Sequence, residues 1–224
     1  DQNEYVWIDK FTIRNLELFS SNSSQQKTGF ADVIDRTLTS MGGRLLKRWI
    51  AMPLISVERI KRRHDVVEAI ATDSDLAAAL REQVSEIGDL ERISSRIAAG
   101  RVLPRELIQL KNSLTAIETL KALLESSDKE CLHEIADQID TLSAIQQRIS
   151  HDIYPDPANN QIQKGGVIAD GVSTELDDLR RIATHGRDVL QQIIQRESEA
   201  TGIPSLKISY NNVFGYYIEV RNTH

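Results

Sequence analysis

Apolar residues recur every three or four positions along most of the chain after residue 40, which is the period of a helix with one buried face. Polar residues fill the positions between them, so these helices are expected to be amphipathic. Ser56 and Asp89 precede two of the stripes as predicted N-caps, and Gly100 is a predicted C-terminal stop. The first four predicted helices cover residues 41–51, 56–71, 74–87 and 89–100.

Two longer apolar stripes follow, over residues 104–124 and 129–150. Pro104 suits the first position of a helix, because proline lacks the N–H that a helix leaves unpaired there. The leucines and isoleucines of both stripes keep a near-heptad spacing, which is typical of helices that pack side by side. We therefore expect an antiparallel helical pair with Leu114 and Leu142 packed inside it.

The pattern changes towards the C-terminus. Proline, asparagine and glycine interrupt the helical period over residues 151–172, and Ser173 then opens a helix that is expected to end near Thr201. A helix of this length is about 42 Å long, at 1.5 Å per residue. Residues then alternate in KISY and in YYIEV, on either side of a turn at Asn211 to Gly215, which predicts a β-hairpin. The predicted fold is mainly α: a multi-helix body with a long helical arm that ends in a small β-hairpin.

Composition narrows the classes of function. Hydrophobic residues make up 40% and charged residues 27% of the chain, which is ordinary for a folded globular protein. The net charge of −6 means that any contact with nucleic acid must be local. The single cysteine, Cys131, and the lack of a long apolar run favour a cytoplasmic protein without a membrane segment. A start at Asp1 and an end inside an apparent strand lead us to expect a piece of a longer protein.

Catalytic patterns are weak throughout the chain. The glycine-rich segment GGVIADG (165–171) lacks both the Lys-Ser/Thr of a phosphate-binding loop and the spacing of a dinucleotide site. An irregular crossing that uses the freedom of glycine explains it better. The histidines are scattered, without the spacing of a metal site. We therefore expect no catalytic residue, no cofactor and no metal in this chain.

Two places could meet nucleic acid. The segment from Arg44 to Arg63 holds seven Lys or Arg residues against one Glu, although a solvated helical face explains such a run more simply. The hairpin is the more interesting candidate, since its polar residues could bind phosphates without reading bases. The candidate DNA-backbone residues are Lys207, Asn211, Asn212 and Arg221. Turn chemistry alone would also explain the two asparagines.

Five segments, in this order, resemble the middle of the bacterial MutS family of DNA mismatch-repair proteins. The segments are ID-x3-IRNLEL (8–18), DRTLTSMGGRLLKRWI (35–50) followed by PL, GDLERISSRIAAGRVLPREL (88–107), GGVIADGVSTELDDLR (165–180) and TGIPSLKISYNNVFGYYIEV (201–220). The resemblance covers almost the whole chain, and the ordered set is highly specific. GYYIEV is typical of the members that carry a DNA clamp.

The resemblance implies a division of the chain and a set of partners. Residues 1–20 would end a connector region, residues 21–187 would form the helical lever or core domain, and residues 188–224 would begin an inserted, truncated clamp. Family members bind mismatched double-stranded DNA as homodimers, cooperate with a MutL-type partner, and hydrolyse ATP with Mg in a domain that lies outside this chain. The expected function is to couple that ATPase to a clamp on the DNA backbone. By itself, this chain is expected to bind DNA weakly or not at all.

A stand-alone helical scaffold or interaction domain is the alternative, and it would need no DNA. A downstream phosphate-binding loop in the longer reading frame would favour the first reading.

Overall fold

The computed structural model describes residues 4–19, 28–157, 160, 162–213 and 215–220, without the side chains of residues 182, 184 and 187. Residues 20–28 (SSNSSQQKT), whose polar sequence predicts a loop, lie almost wholly outside these residues, as does Arg221. The chain divides into two compact units, Asp1–Ala169 and Asp170–His224.

The fold is mainly helical, as predicted. Ser56 and Asp89 cap their helices, accepting from the N–H groups of Arg59 and Arg92 at 3.3 and 3.2 Å. Gly100 follows the sixth helix in the left-handed region, with φ of 65°. The helices are α1 (Lys10–Asn15), α2 (Phe30–Ile34), α3 (Ser40–Ala51), α4 (Val57–Ala71), α5 (Ser74–Glu86), α6 (Leu90–Ala98), α7 (Pro104–Glu125), α8 (Glu130–Asp137), α9 (Ser143–Asp152) and α10 (Thr174–Thr201).

Helix α7 lies at the centre of the first unit and packs against α5, α6, α8 and α9. Leu132 and Ala136 of α8 are fully buried against it, in a cluster that also receives Leu80 from α5 and Ala69 from α4. A second cluster joins the start of α7 to the end of α9 and to Val167. These two clusters form the described core of the unit.

The prediction of one helix over 129–150 is wrong, because α8 and α9 are separate helices. Leu142 adopts a left-handed conformation, with φ of 49°, and its N–H donates to the Asp140 carboxylate at 2.9 Å. Lys121 of α7 donates to the Ile139 carbonyl at 3.0 Å, which provides a partner for a carbonyl just past the end of α8. The break turns Leu142 outward, with 42% of its surface exposed, whereas Leu114 is buried as predicted.

The antiparallel packing against α7 is nevertheless confirmed. Lys121 meets Ile139, and Thr115, farther towards the start of α7, meets Gln146 in a hydrogen bond of 2.6 Å. Residues that come later along α8 and α9 therefore meet residues that come earlier along α7. Two short helices follow the course that one long helix was expected to take.

In the second unit, α10 runs without interruption for 28 residues, from its N-cap Ser173 to Gly202. Two strands follow it, β1 (Lys207–Asn211) and β2 (Gly215–Glu219), which pair antiparallel. The predicted long helix and the hairpin are both confirmed. The strands take in Asn211 and Gly215, so the turn is shorter than expected.

Candidate nucleic-acid interface

The hairpin register determines which candidate residues share a face. Cα partners are Lys207 with Glu219, Ser209 with Tyr217, and Asn211 with Gly215. Directly opposed residues of an antiparallel pair point to the same side, as do residues two apart in one strand. Lys207 and Asn211 therefore lie on one face of the hairpin.

These two candidates lie at opposite ends of β1. They are four positions apart along the strand, which is about 13 Å at roughly 3.3 Å per residue. Lys207 is exposed, and among the described residues its side chain makes no hydrogen bond or ion pair. Glu219 stands directly across from it and offsets its charge. The described charges on this face therefore sum to zero.

The turn itself is organised by Asn211. Its Oδ1 atom accepts a hydrogen bond of 2.9 Å from the N–H of Val213, two residues farther on. Gly215 closes the turn with φ of 73°, in the left-handed region that favours glycine. Asn212 is exposed at the tip. The turn therefore uses the Oδ1 atom of Asn211 as an acceptor, while Asn212 is exposed to solvent. Arg221 lies outside the described residues.

Sequence reasoning did not single out Ser209 and Tyr217, which share this face with Lys207. The alternation of the strands identifies Ser209, which lies midway between Lys207 and Asn211. Tyr217 can be identified only from the register, because the length of the turn determines which of the two adjacent tyrosines lies opposite Ser209.

Most of the basic segment 44–63 is occupied by contacts within the protein. Four of its seven basic side chains have partners among the described residues. The pairs are Arg44 with Asp89 and Glu91, Arg59 with Glu4, Arg62 with Glu58, and Arg63 with the ring of Trp49, 3.6 Å from its centre. This arrangement favours a solvated and internally paired surface over a phosphate-binding patch.

The strongest of these contacts joins α3 to α6. Arg44 makes two hydrogen bonds to Asp89, at 2.7 and 2.9 Å, and a third to Glu91 at 2.8 Å. The hydrogen bonds from Arg44 hold the pKa of the Asp89 carboxyl below its usual range, and the N-cap bond from Arg92 adds to the effect. These contacts give Asp89 a structural role.

The GGVIADG segment uses its backbone in local structure. Ile168 pairs with Ile153 in an isolated bridge, and the Ala169 N–H donates to the Asp152 carbonyl at 2.9 Å. The Gly171 N–H donates to the Asp177 carboxylate at 2.8 Å. These two N–H groups are therefore engaged within the chain, as expected of an irregular crossing rather than a phosphate cradle.

Other classes of site have little support. Within the described ranges, no group of three or more His, Cys, Asp or Glu side chains is placed to hold a metal ion. No described helix is both long and apolar enough to cross a membrane.

Comparison with known proteins identifies one family. The MutS domain III family matches residues 11–208. The chain is 50% identical to the DNA mismatch repair protein MutS of Christiangramia forsetii over 223 residues, and 51% identical to that of Bacteroides thetaiotaomicron over 224. All of the chain is covered in both cases, but only 25% and 26% of the relatives, so it spans about a quarter of their length. The chain belongs to the MutS domain III family.

Proposed function

We propose that this chain is the part of a DNA mismatch-repair protein that connects a helical lever to a clamp on duplex DNA. Residues 1–20 would end the connector, residues 21–187 would act as the lever, and residues 188–224 would begin the clamp. The observation that carries the proposal is α10, which is unbroken for 28 residues and leads into an exposed hairpin. The family match supports it over a stand-alone scaffold.

The proposed role is mechanical. A helix of this length spans about 42 Å and can carry a displacement from one end to the other because its backbone is hydrogen-bonded along its length. Coupling requires two ligands that bias two states of the same element. Here these would be ATP with Mg, bound in another domain of the longer protein, and DNA at the clamp. This chain would then supply no catalytic residue, cofactor or metal, and it would act in the cytoplasm.

The proposed DNA contact is with the backbone. Lys207 and the turn residues Asn211 and Asn212 are too far apart for one phosphate, since about 13 Å separates the ends of β1. They would engage separate phosphates, with Arg221 as a further candidate. Contacts to phosphate position a protein but carry no direct sequence information. Mismatch recognition, the second copy of a homodimer and a MutL-type partner would therefore depend on other parts of the longer protein.

Titration of the chain with perfect and mismatched duplexes, at low and at physiological salt, tests this function. We expect weak binding without preference for the mismatch, because few phosphates are engaged and the net charge is −6. Each phosphate neutralised by Lys or Arg contributes about −0.9 to the slope of log affinity against log salt. Tight binding that prefers the mismatch would place recognition in this chain and contradict the division of roles.

Asparagine-to-aspartate changes test the hairpin in a full-length MutS protein that carries these residues. Asn211→Asp keeps the oxygen that accepts from Val213, so it adds a negative charge while retaining that hydrogen bond. Together with Asn212→Asp, it should weaken perfect and mismatched duplexes equally, because both charges would lie beside phosphates. Asn112→Asp makes the same chemical change on the exposed surface of α7 and serves as the control. Equal DNA affinity of the double variant and the Asn112→Asp control would make the turn purely structural and favour the scaffold alternative.

A further inference from the structure

The two faces of the hairpin differ in chemistry. One face carries Ile208, Tyr210, Tyr216 and Ile218, and the rings of Tyr210 and Tyr216 lie 5.0 Å apart. This face is aromatic and aliphatic, although its tyrosines are about 60% exposed. Such a surface gains most from burial against apolar groups and offers little to a polyanion.

The opposite face, which carries Lys207, Ser209, Asn211, Tyr217 and Glu219, is polar. Ser205, Lys207, Tyr217 and Glu219 line a groove at the open end of the hairpin, together with the apolar residues Ile218 and Val220. Its two charges oppose each other, so net electrostatic attraction cannot be what suits this face to phosphate. Uncharged donors are the chemistry that it offers instead.

Ser209 and Tyr217 supply those donors. They are direct partners across the ladder, so their Cβ atoms are about 5 Å apart. Tyr217 is 38% exposed and Ser209 is half-buried. Neither hydroxyl has a hydrogen-bond partner within the part of the chain that the structure describes. Hydroxyls of Ser and Tyr are common donors to the DNA backbone.

We infer that the hydroxyl groups of Ser209 and Tyr217 donate hydrogen bonds to phosphate oxygens of duplex DNA. This inference rests on the proposed function and identifies the hairpin face that meets the DNA. The contact releases few counterions, because a neutral donor neutralises no phosphate. It therefore adds affinity without adding salt dependence, which distinguishes it from the contact of Lys207.

Adjacent tyrosines on opposite faces provide a matched test. Tyr217→Phe removes one hydroxyl from the polar face, and Tyr216→Phe makes the same change on the aromatic face, with both rings kept. Affinity for a labelled duplex is measured in the isolated chain at low salt. In a full-length MutS protein that carries this chain, affinity is measured across a salt series. We expect Tyr217→Phe and Ser209→Ala each to weaken binding about three- to tenfold, as for loss of one hydrogen bond, with the slope unchanged. Tyr216→Phe should bind as the unchanged protein does.

Lys207→Gln separates this inference from the proposed function. It should reduce the magnitude of the salt slope by about 0.9. If it does so while Tyr217→Phe and Ser209→Ala have no effect, the hairpin meets DNA but the two hydroxyls do not take part. If Tyr216→Phe loses as much affinity as Tyr217→Phe, the polar face is not the specific DNA contact and the inference is wrong. If no hairpin variant changes duplex binding by the full-length protein, the proposed function itself fails.

Discussion

Removing one buried hydroxyl should detach the turn between α5 and α6 from the central helix. Ser113 of α7 is fully buried, and its Oγ accepts from the Gly88 N–H at 3.0 Å while it donates to the Gln109 carbonyl at 2.9 Å. Ser113→Ala leaves the Gly88 N–H without this partner in a partly buried place. An unsatisfied donor of this kind costs about 1–3 kcal/mol. The better helix propensity of alanine returns roughly 0.5 kcal/mol, so we expect a net loss of about 0.5–2.5 kcal/mol.

Ser95→Ala is the control for this prediction. Ser95 of α6 makes the same kind of bond within its own helix, to the Glu91 carbonyl at 2.9 Å, but it is exposed and accepts no described bond from another element. Its replacement should change stability by less than about 0.5 kcal/mol. Urea unfolding of both variants is followed by tryptophan fluorescence, because Trp7 and Trp49 both belong to the first unit. Equal midpoints for Ser113→Ala and Ser95→Ala would refute the reasoning.

Other predictions concern the core, acid stability and catalysis. Leu132→Ala leaves a buried cavity and should lower the free energy of unfolding by about 2–5 kcal/mol. Leu142→Ala, at an exposed position, should lower it far less in the same urea titration. Equal losses would contradict the observed helix break. The lowered pKa of Asp89 adds stability that is present above the unfolded pKa of about 3.9 and is lost as pH falls below it. Arg44→Gln should therefore reduce this loss of stability in acid, as measured by unfolding at a series of pH values. An unchanged pH profile would count against the Arg44–Asp89 pair. The purified chain should not hydrolyse ATP, and phosphate release that survives removal of contaminating ATPases would overturn this expectation.

Local chemistry made most helix ends predictable. Ser56, Asp89 and Ser173 are small polar residues ahead of apolar stripes, and each accepts a bond from the first turn of its helix. The break at Leu142 could not be predicted in this way. The apolar spacing continues through it, without glycine or proline, and the contact of Lys121 with Ile139 comes from another helix. Periodicity reports which residues are apolar, but not which carbonyl a distant lysine will bind.

The candidate interface was predictable in outline only. Alternation and turn residues located the strands, but the offset of Lys207 by Glu219 depends on the register. That register follows from the number of residues in the turn and from Gly215. A sequence that locates a hairpin therefore leaves open which side chains share a face, and here that decides which atoms can reach a phosphate.

The central position of α7 has a consequence for how the first unit opens. A helix that packs against four others can lose its backbone hydrogen bonds only when most of those contacts are lost together. Its amides should exchange with deuterium last, at the free energy of global unfolding. Helix α3, which buries none of its residues, should exchange through small local openings long before that. The unit would then lose its cooperative structure from the α3 side first, with the hydrophobic clusters around α7 as its last protected part.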